Sequence, residues 1–263
     1  MKRSHRAGQT RISTLTIFLA IFLISCSSTP KAGEHVTGKG RAELLLNLAG
    51  ADLTENDPTG ALISLNEAKE IDDSLPEEYY LFALAYYQKH ETKLALESAR
   101  KAIELKPDFS SAKNTLGKIL LDQGNYAEAE KYLLEAASDL TARDAFIPKT
   151  NLGILYYQKM NLPKATHWLS SAIEDGKAAA CMAYYYRGRI HLEQNELEDA
   201  RRDLIQGSRN ACSKFTDAHI AYSQTLIRMK KYQEARAKLL EIQQLFPDSD
   251  AAVKATAYLR DLP

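Results

Sequence analysis

Residues that carry chemistry are sparse in this chain: 263 residues include three cysteines and six histidines. His90, His167, His191 and His219 fall in separate stretches and form no His-Glu-x-x-His pair, which excludes a zinc-hydrolase helix. Cys181, Cys212, His191 and His219 have spacings that match no zinc finger or enzyme site. A Gly-x-Ser-x-Gly nucleophile elbow is missing. The one phosphate-loop spacing, from Gly33 to Lys39, puts Gly40 where a Ser or Thr should hold magnesium, and no apolar strand precedes it. The chain is therefore expected to have no catalytic residue, metal, cofactor or small-molecule substrate. Positive charge is not in excess either, with 34 Lys and Arg against 34 Asp and Glu. Without a basic stripe interleaved with aromatics, nucleic acid is not an expected partner.

An apolar run at residues 15–24 is too short to cross a bilayer as a helix. It follows Lys2, Arg3, Arg6 and Arg11, the layout of an export signal. The run closes on Leu23-Ile24-Ser25-Cys26, which resembles the lipobox of bacterial lipoproteins. That resemblance implies a signal peptide at 1–25 and a lipid on Cys26, the first residue of the mature chain. Losing the four basic residues leaves 30 against 34 acidic ones, a net charge of −4. Ser27 rather than Asp follows the cysteine. In the commonest lipoprotein sorting scheme this implies a lipid-anchored protein on the periplasmic face of the outer membrane. Residues 26–41 are small, polar and glycine-containing, so they read as a flexible tether with a reach of about 20 Å.

What the chain has in abundance is a period. Ala61, Ala95, Ala129, Ala165, Ala200 and Ala235 recur at intervals of 34, 34, 36, 35 and 35 residues. The spacing and composition match the tetratricopeptide repeat, a helix-turn-helix of about 34 residues. The expected fold is all-α: a right-handed α-solenoid of six repeats, 42–75, 76–109, 110–143, 146–179, 181–214 and 216–249, closed by a capping helix at 250–263. Small residues stand at repeat position 8 (Ala49, Ala83, Gly117, Gly153, Gly188, Ser223), and the six alanines occupy position 20. Both mark where the two helices of a unit approach most closely, because larger side chains would overpack the contact. Pro107 and Pro247 sit at position 32, just past the second helix. The turn between helices is expected around Gln123-Gly124-Asn125 and Met229-Lys230-Lys231. In the last helix, Val253, Ala257, Tyr258 and Leu262 make one face, with Asp248, Ser249 or Asp250 as N-cap.

Cys181 opens the first helix of the fifth unit and Cys212 follows its second, so an antiparallel hairpin brings them together. In an oxidising compartment this suggests a disulfide, and two free buried thiols are the other reading. Position by position, the family places the first helices on the concave face. That implies a partner groove of Leu46, Leu53, Tyr80, Leu84, Tyr87, Leu121, Ile154, Tyr157, Met182, Tyr185, Leu192, Ile220 and Ile227. The groove reads as greasy and aromatic, suited to an amphipathic helix or extended apolar segment. The same side chains alternatively pack between units.

Leu133-Leu134-Glu135-Ala136-Ala137-Ser138-Asp139, a short link and then Asn151-Leu152-Gly153 resemble the type IV pilus pilotins of the PilF/PilW/Tgl group, as does Leu245-Phe246-Pro247-Asp248-Ser249. The resemblance spans lipobox, tether and all six units. It implies a non-enzymatic lipoprotein that binds secretin subunits and promotes their localisation and multimerisation. The alternative of another class is a lipid-anchored scaffold that recruits a periplasmic protease or peptidoglycan hydrolase.

Overall fold

The computed structural model describes residues 38–139, 141–142 and 144–263. The signal, Cys26, most of the tether and the phosphate-loop spacing lie outside the described residues, as do Leu140 and Arg143 beside the third junction. Thirteen α-helices occur among the described residues: α1 (Lys39–Thr54), α2 (Pro58–Ile71), α3 (Pro76–Gln88), α4 (Thr92–Leu105), α5 (Ser110–Asp122), α6 (Tyr126–Ala137), α7 (Phe146–Gln158), α8 (Leu162–Gly176), α9 (Cys181–Glu193), α10 (Leu197–Gln206), α11 (Thr216–Arg228), α12 (Tyr232–Leu245) and α13 (Asp250–Asp261). Successive pairs are hairpins, and each second helix packs on the first helix of the next pair. The result is a solenoid in which each unit buries its apolar face only against its neighbours.

The turn inside each hairpin has one shape. Asn56, His90, Gly124, Met160, Asn195 and Lys230 all have φ between 56° and 77°, and all stand at repeat position 15. The amide that follows donates to the carbonyl five residues back in every case, as in Asp57 to Asp52, Glu91 to Tyr86 and Asn161 to Tyr156. This left-handed residue closes the first helix with a Schellman-type bond and throws the chain back on itself. Only Gly124 adopts the conformation without penalty, and two of the other five are asparagine, which tolerates it best.

Small residues at position 8 make room for position 24 rather than for position 20. A Cβ added to Gly153 would lie 2.5 Å from Leu169 Cγ, and one added to Gly117 would lie 2.6 Å from Leu133 Cγ. Glycine here lets a full leucine insert between the helices. The six alanines of position 20 are completely buried, with no room for a longer side chain.

The last helix begins at Ser249, whose hydroxyl accepts from the Ala252 amide at 3.3 Å. Its inner face differs from the expected one. Ala251, Ala252 and Ala255 are buried, and Tyr258, Leu259 and Leu262 pack beside them, whereas Val253 is 71% exposed and Ala257 also faces out. Small alanines let α13 sit close on α12, and the valine falls a third of a turn off that contact line.

Candidate protein-binding groove

Position 12 is the last residue but one of the first helix of each unit, which meets the first helix of the next unit. The structure separates its residues into two kinds. Leu53, Leu121 and Leu192 are buried, and so are the predicted groove residues Ile154 at position 9 and Ile220 at position 5. These five are packing residues and offer nothing to a partner. Leu46 and Leu84 are half-buried against the core that Leu53, Leu65 and Phe82 form between the first two units, and Ile227 is half-buried. Met182 is 42% exposed; with Phe146, Ile147 and Ala180 it lines a small apolar pocket of about 150 Å³.

The tyrosines are held by the following unit. Tyr87 donates its hydroxyl to Asp122, and Lys118 Nζ donates to the same hydroxyl at 3.1 Å while pairing with Asp122 at 2.5 Å. One unit further on, the arrangement recurs with other residues. Tyr157 donates to Glu193, and Arg189 reaches the Tyr157 hydroxyl at 3.3 Å and Glu193 at 3.4 Å. Each clasp combines a tyrosine at position 12 with an acid at position 13 and a base at position 9 of the next unit. Burial and the bond to Glu193 push the Tyr157 hydroxyl up to about 12, so it remains a donor. Burial and the bond to Asp122 likewise raise Tyr87. Burial acts to lower Lys118, but its bonds to Asp122 and Tyr87 outweigh that and hold it raised. At two of the three leucines of position 12 the next unit's position 13 donates instead. Gln88 donates to the Leu53 carbonyl at 3.1 Å and Arg228 to the Leu192 carbonyl at 2.7 Å. This part of the concave face is thus polar and internally satisfied, not greasy.

Two other tyrosines pack against a phenylalanine. Tyr80 and Tyr185, both at position 5, tilt or stand edge-on against Phe109 and Phe215, with ring centroids 5.2 Å apart in each pair. Tyr80 borders a cleft of about 690 Å³ at the N-terminal end, together with Leu46, Leu75, Leu81 and Phe109 and with Lys39, Glu43 and Glu77 at its rim. Of the predicted set, this cleft brings together Leu46 and Tyr80.

Cys181 Sγ and Cys212 Sγ lie 2.07 Å apart, with their Cα atoms 5.3 Å apart, at the two open ends of the fifth hairpin. Nearby, Arg187 forms two 2.7 Å bonds to the buried Asp203 and one of 3.0 Å to Ser170 of the preceding unit. His191 Nδ1 lies 2.6 Å from Glu196 Oε2, and ligand atoms of His191, Glu196 and Asp199 come within 4.8 Å of one another.

Lys118, Asp122, Arg189 and Glu193 were not expected to matter. The signal that finds them is pairwise: an acid at position 13 wherever the preceding unit has tyrosine at position 12.

Stacked helical hairpins with position-15 turns and a concave face of first helices define a repeat scaffold whose surfaces suit protein partners. The chain belongs to the tetratricopeptide repeat family, whose model matches residues 80–145 and 185–250. Its sequence is 26% identical over 255 residues to the type IV pilus assembly protein PilF of Pseudomonas aeruginosa, covering 95% of this chain and 93% of that protein. The solved structure of Pseudomonas aeruginosa PilF superposes with a TM-score of 0.69 at 20% identity, over 84% of this chain and 97% of that one. PilW, described as a widely conserved type IV pilus biogenesis factor, superposes at 0.68 and 21%, over 80% and 96%. The Cut9–Hcn1 assembly of the APC/C reaches 0.72 at 18% identity, over 84% of this chain and 42% of that one. Structural likeness by itself therefore reports the fold.

Proposed function

We propose that this chain is a non-enzymatic, lipid-anchored adaptor of type IV pilus assembly that binds secretin subunits at the outer membrane and promotes their multimerisation. The observation that carries the reading is the similarity to PilF over 95% of the chain, a span that runs beyond any one repeat. In this reading Cys26 bears the lipid. The N-terminal cleft of Leu46, Leu75, Tyr80, Leu81 and Phe109 receives an apolar segment of the partner, because the clasped tyrosines further along leave less free apolar surface. Lipid and cleft act together: the anchor confines the adaptor to one surface, and the cleft collects partner there at raised effective concentration.

The test is affinity capture from envelope extracts with the mature chain, beside a Leu46→Glu/Tyr80→Ala variant whose helicity is checked by circular dichroism. A secretin captured by the first and lost from the second is the expected result. Deleting the protein should also abolish detergent-resistant secretin multimers. Normal multimers in its absence would remove the secretin role, and capture of a protease or peptidoglycan hydrolase instead would assign the scaffold role.

A further inference from the structure

Repeat positions 3 and 7 have one structural task in this fold. In units two to six they lie on the first helix, which packs against the second helix of the preceding unit, and at position 7 Arg187 and Tyr222 of the last two units are half-buried. Glu78, Ala112, Pro148, Ala183 and Ala218 at position 3 are all buried there, as are Phe82, Leu116 and Leu152 at position 7. In the first unit the same positions are Leu44 and Leu48, and they are 61% and 51% exposed. Ala51, at position 10, is exposed as well, whereas Ala85, Ile119, Leu155, Ile190 and Thr225 are buried at that position in the later units. Among the described residues no helix precedes α1, so the docking surface of a missing neighbour is bare. The far end of the stack is closed by α13, and among the described residues nothing closes this one.

We infer that the open end, formed by Leu44 and Leu48 with Ala51 beside them, rests on the lipid surface that carries the anchor. The inference rests on the reading of Cys26 as lipid-bearing. Two observations select this occupant. Cys26 precedes Gly38 by 12 residues, which span at most about 40 Å even fully extended. The first unit is therefore held nearest to the bilayer, and α1 is the first helix to meet it. The patch is two leucines and an alanine on one helix, far fewer than the roughly 20–30 residues a side of a stable protein interface. A free protein would gain little from so small a contact, but a tethered one meets the surface at high effective concentration, where a weak apolar contact suffices. Exposed charges at this end are mixed, with Lys39 and Arg41 beside Glu43 and Glu67, and Arg41 sits 3.7 Å from Glu67. Contact is thus made by apolar insertion and changes little with salt. Docked in this way, the unit would orient the neighbouring cleft relative to the membrane.

The experiment uses full-length lipidated protein in phosphatidylethanolamine/phosphatidylglycerol vesicles that contain a spin-labelled lipid quencher. An environment-sensitive fluorophore is placed at Ala51→Cys, with Val253→Cys at the opposite end as reference. Quenching at position 51 should exceed that at 253 by at least about threefold, and Leu44→Ser/Leu48→Ser should erase the difference while leaving helicity unchanged. Equal quenching at both positions, with the lipid mass present on Cys26, overturns the inference and leaves the anchor standing. A mature chain without lipid mass overturns both. Dimerisation of the unlipidated chain in sedimentation, abolished by the double serine variant, would give the face to a second copy and overturn the lipid contact.

Discussion

Glu78 is a carboxyl where the other later units have alanine or proline, and its replacement by glutamine isolates one electrostatic effect. The residue is completely buried between the first and second units, and neither carboxylate oxygen has a hydrogen-bond partner. Burial is the main cause that lifts its pKa from 4.5 to about 7. Lys69 counteracts this, and Asp73 and Asp72 add to it. Because the folded-state value is raised, the unfolded chain loses its proton first as pH increases. The stabilisation is complete below pH 4.5, declines between 4.5 and 7, and is gone above 7. At about 1.4 kcal/mol per unit, the whole span amounts to about 3 kcal/mol. Between pH 5 and pH 8 the wild type should lose about 2.5 kcal/mol relative to Glu78→Gln, since titrations shared by the two proteins cancel. Urea unfolding at both pH values measures the difference. Hydrogen exchange in α1 to α3 shows whether the loss is local to the first junction, as a stack of nearest-neighbour contacts requires. A stability difference that is the same at pH 5 and pH 8 would refute the reasoning.

Four further outcomes are expected. Met160→Gly relieves a left-handed backbone at a 74% exposed position and should raise stability by about 1 kcal/mol in thermal or urea unfolding. Gly153→Ala drives a Cβ into Leu169 and should lower it by about 1–3 kcal/mol, although alanine is the better helix former. Arg187→Ala strands the carboxylate of Asp203, which is 4% exposed, and should cost about 3–5 kcal/mol, seen as a lower urea midpoint. Thiol titration of denatured, non-reduced protein should find neither Cys181 nor Cys212 reactive, and Cys181→Ala/Cys212→Ala should lose about 3–4 kcal/mol for a 31-residue separation. Two reactive thiols would remove the bridge.

The fold was legible because its determinants are local and repeated. A buried alanine every 34 to 36 residues and small residues at position 8 are read one position at a time. The groove was less legible because its character depends on pairs. Tyr87 alone reads as an aromatic anchor; with Asp122 and Lys118 it is a satisfied junction. Leu121 and Ile154 looked like groove lining because a helix wheel cannot tell a side chain facing a partner from one facing the next repeat. Position 15 was half legible: Gly124 announces a left-handed turn, whereas His90, Met160 and Lys230 adopt it because the hairpin around them leaves no alternative. Val253 was misplaced on α13 because alanines, weak hydrophobes by composition, make the closer contact.

The two clasps also have a mechanical meaning. They tie the concave edge at the second-to-third and fourth-to-fifth junctions, on the side of the superhelix that lengthens when the array is straightened. They act there as tension ties. A load that uncurls the stack must first stretch Tyr87 from Asp122 and Tyr157 from Glu193. The first junction is joined on that edge by the Gln88 bond to a backbone carbonyl and has an unpartnered carboxyl in its interior. Strain applied along the chain is therefore expected to open the first junction, beside the cleft of Leu46 and Tyr80, before the clasped junctions yield.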